Sequence, residues 1–308
     1  MDFIIPEEKK TRVIINTDAK NEVDDQFAIV HAILSYSFEI HGIIPAHFGN
    51  HKSNTSLQDS YDETMLLLNL IGCNNKFRIE TGAAHAMPDE ETAKDSPGAR
   101  LIIEEALKKD NRPLYIAFYG PLTDMASALL IEPKIAQKNI KVIWIGGGDW
   151  PSGGREYNVS NDIHAANVVL KSNLEVWQIP RNVYRMMPVS YAELMDKVYP
   201  NGEIGKYLVE QVIDFNNESV SRPSEYRILG DSPAVGVLLF DDCGKWKWEP
   251  APVFDQNMNY VHSGKYRPIK VYETIDSRFI LEDFYAKLKL FFKKSTENDE
   301  SKTKIEKA

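Results

Sequence analysis

Apolar positions fall into two rhythms that alternate along most of the chain. The runs RVIINT, FEIHGIIPAHF, LYIAFYG, IKVIWIGGG and LEVWQIP are short and β-branched. Stretches such as KVIWI are continuously apolar, which predicts strands buried on both faces. Between them QFAIVHAIL, SYDETMLLLNLIG, ARLIIEEALKK, LTDMASALLIEPKIAQ and DIHAANVVLKS carry apolar residues at helical spacing, with brief polar or glycine punctuation. This alternation predicts an α/β fold with a single open, mostly parallel sheet flanked by helices. The second half is less regular. Helices are expected after Pro188 and Asn201, a late strand at KVYETI, and a last helix at FILEDFYAKLKLFFKK. Residues 295–308 mix both charge signs with almost no apolar side chains and are expected to form a disordered tail beyond a single domain of residues 1–294.

Composition narrows the partners. The 308 residues are 43% hydrophobic and carry a formal net charge of −9. Without clustered Lys and Arg outside the tail, a nucleic-acid polymer is not expected, and a small molecule is. Only Cys73 and Cys243 are present, too few for a disulfide framework or a thiolate metal site, and they read as two buried thiols in a reducing compartment. The start MDFIIPEEKKTRVI lacks the apolar core of a signal peptide, and no segment approaches the ~18 apolar residues of a membrane span, so a cytoplasmic location away from membranes is expected.

Ligands of open α/β sheets bind beyond the carboxyl ends of the strands, which directs attention to the segment after the first run. In RVIINTDAKNEVDDQFAIV, Asp18 follows the strand and Asp24 and Asp25 open the helix, with Glu22 between them, so that four carboxylates fall within eight residues. Helix capping accounts for one or two. Packing the rest together raises their mutual repulsion unless protons or a cation compensate, and clustered Asp oxygens suit a hard divalent ion such as Ca²⁺ or Mg²⁺.

The pattern NTDAKNEVDD resembles the Asp-Thr-Asp, short loop, Asp-Asp signature of the inosine–uridine-preferring nucleoside hydrolase superfamily, in a divergent branch some of whose members are labelled cellulose-binding. Asn16 stands where the first Asp is usual, and the loop is two residues longer. Four further segments recur in the family's order. GIIPAHFGN is similar to a second strand that ends in a substrate-contacting Asn, here Asn50. YIAFYGPLTDMASALLIEPKI resembles the strand whose last carbonyl meets the metal, here that of Tyr119, with Asp124 in place of a usual Asn. VIWIGGGDW followed by REYN resembles the ribose-binding Glu-X-Asn element, here Glu156 and Asn158. RILGDSPAVGVLLF resembles the late helix start that returns an Asp to the metal, here Asp231, with Gly230 where many purine-cleaving relatives have a His.

The resemblance implies a calcium-dependent ribonucleoside hydrolase that cleaves the N-glycosidic bond to give ribose and free base. It places a metal on Asp18, Asp25, Asp231 and the Tyr119 carbonyl, with Asp18 also the general base. It gives Asp24, Asn50, Glu156 and Asn158 to the sugar hydroxyls, and it implies a homodimer or homotetramer. For the leaving group, His51, His85, Tyr184, Arg185, Tyr226 and Arg227 are candidates. His31, His41, His164 and His262 read as structural, and His47 is unassigned. The alternative is a non-catalytic nucleoside- or sugar-binding protein on the same fold. A phosphohydrolase of the haloacid dehalogenase type is disfavoured because Asn16 occupies the place of its nucleophilic Asp.

Overall fold

In the computed structural model, which describes residues 4–219 and 224–306 (side chains of 219 and 297–306 excepted), the predicted alternation is realised. The chain runs β1 (Thr11–Thr17), α1 (Asp25–Ile33), β2 (Phe38–Pro45), α2 (Ser56–Leu70), α3 (Pro97–Leu107), β3 (Leu114–Phe118), α4 (Thr123–Ile131) and β4 (Ile140–Ile145). It continues through α5 (Tyr157–Asn161), α6 (Ile163–Lys171), β5 (Glu175–Ile179), α7 (Arg181–Tyr184), β6 (Pro188–Ser190), α8 (Tyr191–Lys197) and α9 (Gly202–Ser219). The last elements are β7 (Tyr226–Ile228), α10 (Ser232–Leu239), β8 (Trp246–Pro250), β9 (Val253–Phe254), β10 (Tyr260–Val261), β11 (Pro268–Tyr272) and α11 (Ser277–Glu306).

Seven strands form one sheet in the order β2-β1-β3-β4-β5-β11-β8, parallel except for the β11–β8 pair at one edge. Both faces are covered, which explains the near-continuous apolar strands. Val13 and Ile15 of β1 pack in the layer of Phe27, Leu67, Leu208, Val235 and Phe284, from α1, α2, α9, α10 and α11. Ile14 faces the opposite layer, with Leu101, Met125 and Val169 from α3, α4 and α6. This period-2 alternation carries through to the polar end of β1: Thr17 turns toward α1, and Asn16 toward α4.

Strand order reverses at β1, which has β2 on one side and β3 on the other. The crevice beyond their carboxyl ends is where an open α/β sheet accepts a ligand. α11 is assigned as far as Glu306, through much of the segment read as a tail. Its base is anchored by Ile280, Phe284 and Leu288, and propagation over Glu- and Lys-rich sequence adds one hydrogen bond per residue. Cys73 and Cys243 are buried free thiols. No helix among the described residues is long and apolar enough to cross a membrane.

Candidate active site

The site begins where β1 ends. Asp18 sits against the turn after β3, where a Cβ on Gly120 would lie 2.8 Å from the Asp18 Cγ, so this position accepts no side chain. The long loop to α1 is held rigidly. The Asn21 backbone N–H donates to the Asp18 carbonyl at 2.8 Å and its amide donates to the Asp18 carboxylate at 3.1 Å. Lys52 Nζ clasps Asn21 through its carbonyl and its Oδ1, at 2.9 and 2.7 Å.

Asp24 and Asp231 occupy the residue preceding α1 and α10, yet neither side chain caps its helix. Asp24 instead accepts from the Gly230 N–H at 2.8 Å, and Asp25 from the Thr17 hydroxyl at 2.5 Å. The carboxylates of Asp24, Asp25 and Asp231 each place an oxygen within 4.8 Å of the others. Asp18 stands outside that trio but on the wall of the same cavity, of about 70 Å³, together with Tyr119, Glu156, Asn158, Tyr184 and Gly230.

Burial, followed by repulsion from Asp25 and Asp24, drives the Asp18 carboxyl well above its ordinary range. Burial and the charges of Asp24, Asp25 and Asp18 do the same to Asp231. Asp24 is pushed up to about 7 by burial and then by Glu22 and Asp25, with Arg227 opposing. Asp25 is raised to about 6 by burial, against the hydrogen bond from Thr17. In the absence of a cation, the cluster must hold protons.

The ribose-binding residues expected from sequence are placed unequally. Glu156 and Asn158 line the cavity, but both are also committed to the backbone. Glu156 accepts from the N–H groups of Gly147, Asn158 and Val159, and so caps α5. Asn158 donates to the carbonyls of Tyr119 and Ile145 at 2.6 and 2.8 Å, which fixes the Tyr119 carbonyl at the cavity wall. Asn50 lies on the exposed surface and outside the cavity, a departure from the sequence expectation. The chain turns at Gly49 after His47 has taken the buried position, where it contacts Thr123 at 2.9 Å. Burial pushes the His47 imidazole down to about 4, which makes it a neutral structural group.

Two departures from the family pattern, one in the first motif and one in the segment after β3, turn out to be one exchange. Asn16 does not face the cavity; its amide donates to Asp124 at 2.9 Å, on the opposite face of β1. Asp124 does not cap α4 but also accepts from the Ala83 N–H and the Ser96 hydroxyl. An Asn on the strand and an Asp on the helix keep one amide–carboxylate bond with its partners interchanged.

The Gly230 position is explained by sterics. A Cβ there would meet the Tyr184 ring at 3.2 Å and Asp24 at 3.0 Å. Tyr184 thus fills the space beside this turn, and its hydroxyl donates to Glu156 at 3.3 Å. Burial, then the Glu156 charge, raises its phenol far above the ordinary range, so it stays protonated. Tyr226, Arg227 and Arg185 line an adjoining outer cavity, whereas His51 and His85 are exposed and border neither. His31 pairs with Asp283, His41 with Glu105, and His262 contacts the Pro151 carbonyl. Arg155, Tyr157 and Arg181 also border the outer cavity and were not singled out from sequence. Arg181 stands two residues past β5, and Arg155 and Tyr157 lie in the connection that leaves β4, so position beyond the strand ends is the signal that could have found them.

Known proteins point the same way. Uridine nucleosidase 1 of Arabidopsis thaliana is 23% identical over an alignment covering 91% of this chain and 94% of that protein. The pyrimidine-specific ribonucleoside hydrolase RihA of Salmonella schwarzengrund is 24% identical, over 75% and 77% of the two chains. The solved purine-preferring ribonucleoside hydrolase from Gardnerella vaginalis superposes with a TM-score of 0.76 at 20% identity, over 92% of this chain and 99% of that one, which shows a common fold. Residues 13–274, from the first buried strand to the end of the sheet, match the inosine-uridine preferring nucleoside hydrolase family, and the chain belongs to that family.

Proposed function

We propose that this chain is a cation-dependent hydrolase of the N-glycosidic bond of ribonucleosides, releasing ribose and free base, with calcium as its ion. The observation that carries the reading is the convergence of Asp24, Asp25 and Asp231, buried or nearly so and without helix caps, beside Asp18 and the Tyr119 carbonyl. An all-oxygen set of several carboxylates and one carbonyl fits a hard divalent cation, and Asp18, Asp25, Asp231 and the Tyr119 carbonyl would hold it. Such an ion supplies the positive charge that activates water and a template for the vicinal ribose hydroxyls.

The residues supply the rest. Asp18, fixed by Asn21 and Gly120, takes the proton of the attacking water. Asp24 accepts from the ribose hydroxyls, its geometry set by the Gly230 N–H. Asn158 acts through the Tyr119 carbonyl it orients, and Glu156 through α5 and the Tyr184 hydroxyl. As the C–N bond lengthens and the sugar gains oxocarbenium character, the Tyr184 hydroxyl, which stays protonated, hydrogen-bonds the departing base, whose negative charge is then neutralised by a proton from solvent.

The test is ribose release from a panel of purine and pyrimidine ribonucleosides, with calcium and after chelation. Saturable turnover that vanishes in Asp25→Ala supports the hydrolase. Tight binding of ribonucleosides without turnover supports the non-catalytic alternative.

A further inference from the structure

The outer cavity, of about 570 Å³, shares Glu22, Asp24, Glu156, Tyr157, Tyr184 and Gly230 with the inner one, so it is where whatever lies beyond the ribose must extend. Its wall is unusual for this chain. Four of the eleven arginines, Arg155, Arg181, Arg185 and Arg227, line it, and no lysine does, on a protein whose net charge is −9. Arg227 is paired with Glu22, and Arg181 with Asp149 at 2.8 Å. Arg155 and Arg185 are exposed, and neither side chain has an ion-pair or hydrogen-bond partner among the described residues.

These groups are brought together by the fold. Arg181 and Arg185 are one helical turn apart at α7, and the Arg181 guanidinium donates to the Arg155 carbonyl at 2.5 Å, which ties the segment after β4 to the segment after β5. Asp149, paired with Arg181, also exerts its charge on Arg185, but the Arg155 and Arg185 guanidinium groups have no direct partner among the described residues. The arginine fork, unlike a lysine ammonium, matches the planar pair of oxygens of a carboxylate or phosphate. A neutral base offers this wall only neutral acceptors, whereas an anion also offsets its charge.

We propose that Arg155 and Arg185 receive an anionic group, phosphate or carboxylate, borne by the substrate outside its ribose ring, so that the preferred substrate is a charged ribonucleoside derivative. The inference rests on the ribohydrolase reading for placing the sugar in the inner cavity.

Two probes separate the sources of charge: uridine 5′-monophosphate carries it on the sugar's 5′ end, and orotidine carries it on the base. Dissociation constants for both and for uridine would be measured by calorimetry on the full chain at saturating calcium, in an Asp18→Asn background, whose amide oxygen still serves as a calcium ligand while no carboxylate is left there to take the water's proton and consume the probes. At least one anionic probe is expected to bind about 10-fold tighter than uridine, the usual gain of a charge-assisted contact. That ratio should shrink with rising salt and approach unity when Arg155→Ala and Arg185→Ala are added. Both residues are exposed, so unchanged thermal unfolding controls for folding. The inference is overturned if neither probe outbinds uridine, or if the advantage survives the arginine substitutions. Parallel turnover assays on the unsubstituted chain keep the two readings apart. Uridine cleavage without an anion advantage removes only this inference. An anion advantage without cleavage of any probe retains Arg155 and Arg185 as an anion-binding wall and removes the hydrolase reading.

Discussion

Two sets of buried carboxylates lie on opposite sides of the end of β1, and they look alike in sequence because nearly all are acids at or beside a helix start. On one side Asp124 receives Ala83 N–H, the Ser96 hydroxyl and the Asn16 amide, and nearby Asp162 receives Ala165 N–H, Met87 N–H and the Thr123 hydroxyl. On the other, Asp24 receives the Gly230 N–H and Asp25 the Thr17 hydroxyl, and both crowd against Asp231. Burial raises the carboxyl pKa in both sets, so the direction of the shift does not tell them apart. The next cause separates four of the five: hydrogen-bond donors oppose the rise at Asp124 and Asp162, neighbouring charges add to it at Asp24 and Asp231, and at Asp25 the Thr17 donor opposes the rise while the Glu22 charge adds to it. A buried acid surrounded by donors is structural. Buried acids that face each other need protons or a cation to offset their charges.

The sharpest way to break this contrast is Asp25→Ala. Loss of a ligand from the cation set is expected to lower kcat/KM by roughly 10³-fold, more than the loss typical of a supporting residue, and to weaken calcium binding in calorimetry. An enzyme that keeps its rate would place the chemistry elsewhere.

On the donor-rich side the expected losses are of stability. Asn16→Asp sets two carboxylates face to face without a donor between them and should cost roughly 3 kcal/mol in urea unfolding. The double change Asn16→Asp, Asp124→Asn restores the amide–carboxylate bond with its partners reversed and should recover most of the loss. Failure of the second change to rescue the first would contradict the exchange described here.

Tyr184→Phe tests the assignment of the leaving-group donor. A drop in kcat of about 10²-fold is expected for natural ribonucleosides, as for removal of a hydrogen bond to developing negative charge. 4-Nitrophenyl riboside, whose leaving group departs without a proton, should be cleaved almost as fast as before; equal damage to both substrates would assign Tyr184 to packing.

The gentlest test uses pH. Without cation, folded Asp24 and Asp25 keep protons up to about 7 and about 6, whereas an unfolded Asp releases its proton near 3.8. Their raised values therefore stabilise the metal-free fold at low pH, and that contribution is lost as pH climbs from about 4 to 7. A cation displaces the same protons, so the rise in Tm produced by calcium should grow across this range. A constant increment would mean the ion binds away from these carboxylates.

Much of this was legible in the chain. Continuous apolar runs announced a sheet covered on both faces, and the segment after β1 announced the acid cluster, because strand ends and charge crowding are local facts. Whether Asp24 and Asp231 cap their helices was not legible, since a capping Asp and a non-capping one occupy the same place before a helix. Asn50 was misplaced because the direction of a loop after a glycine is set by tertiary packing, here of His47. Asn16 stood out only as a departure from the motif, although the period-2 alternation of β1 turns it away from Thr17 and the cavity. The arginine wall went unseen because Arg155, Arg181, Arg185 and Arg227 meet only when β4, β5 and β7 are in place.

The late strand β11 lies between β5 and β8 rather than at the border of the sheet. During synthesis, the hydrogen-bonding edge of β5 therefore stays open while some ninety further residues are added, and β8 emerges before it has a neighbour to join. For a ribosome making this chain, the vulnerable interval ends only when residues 268–272 slide into that gap, so substitutions that slow the closing step should appear first as aggregation and lower yield, with the purified remainder fully active.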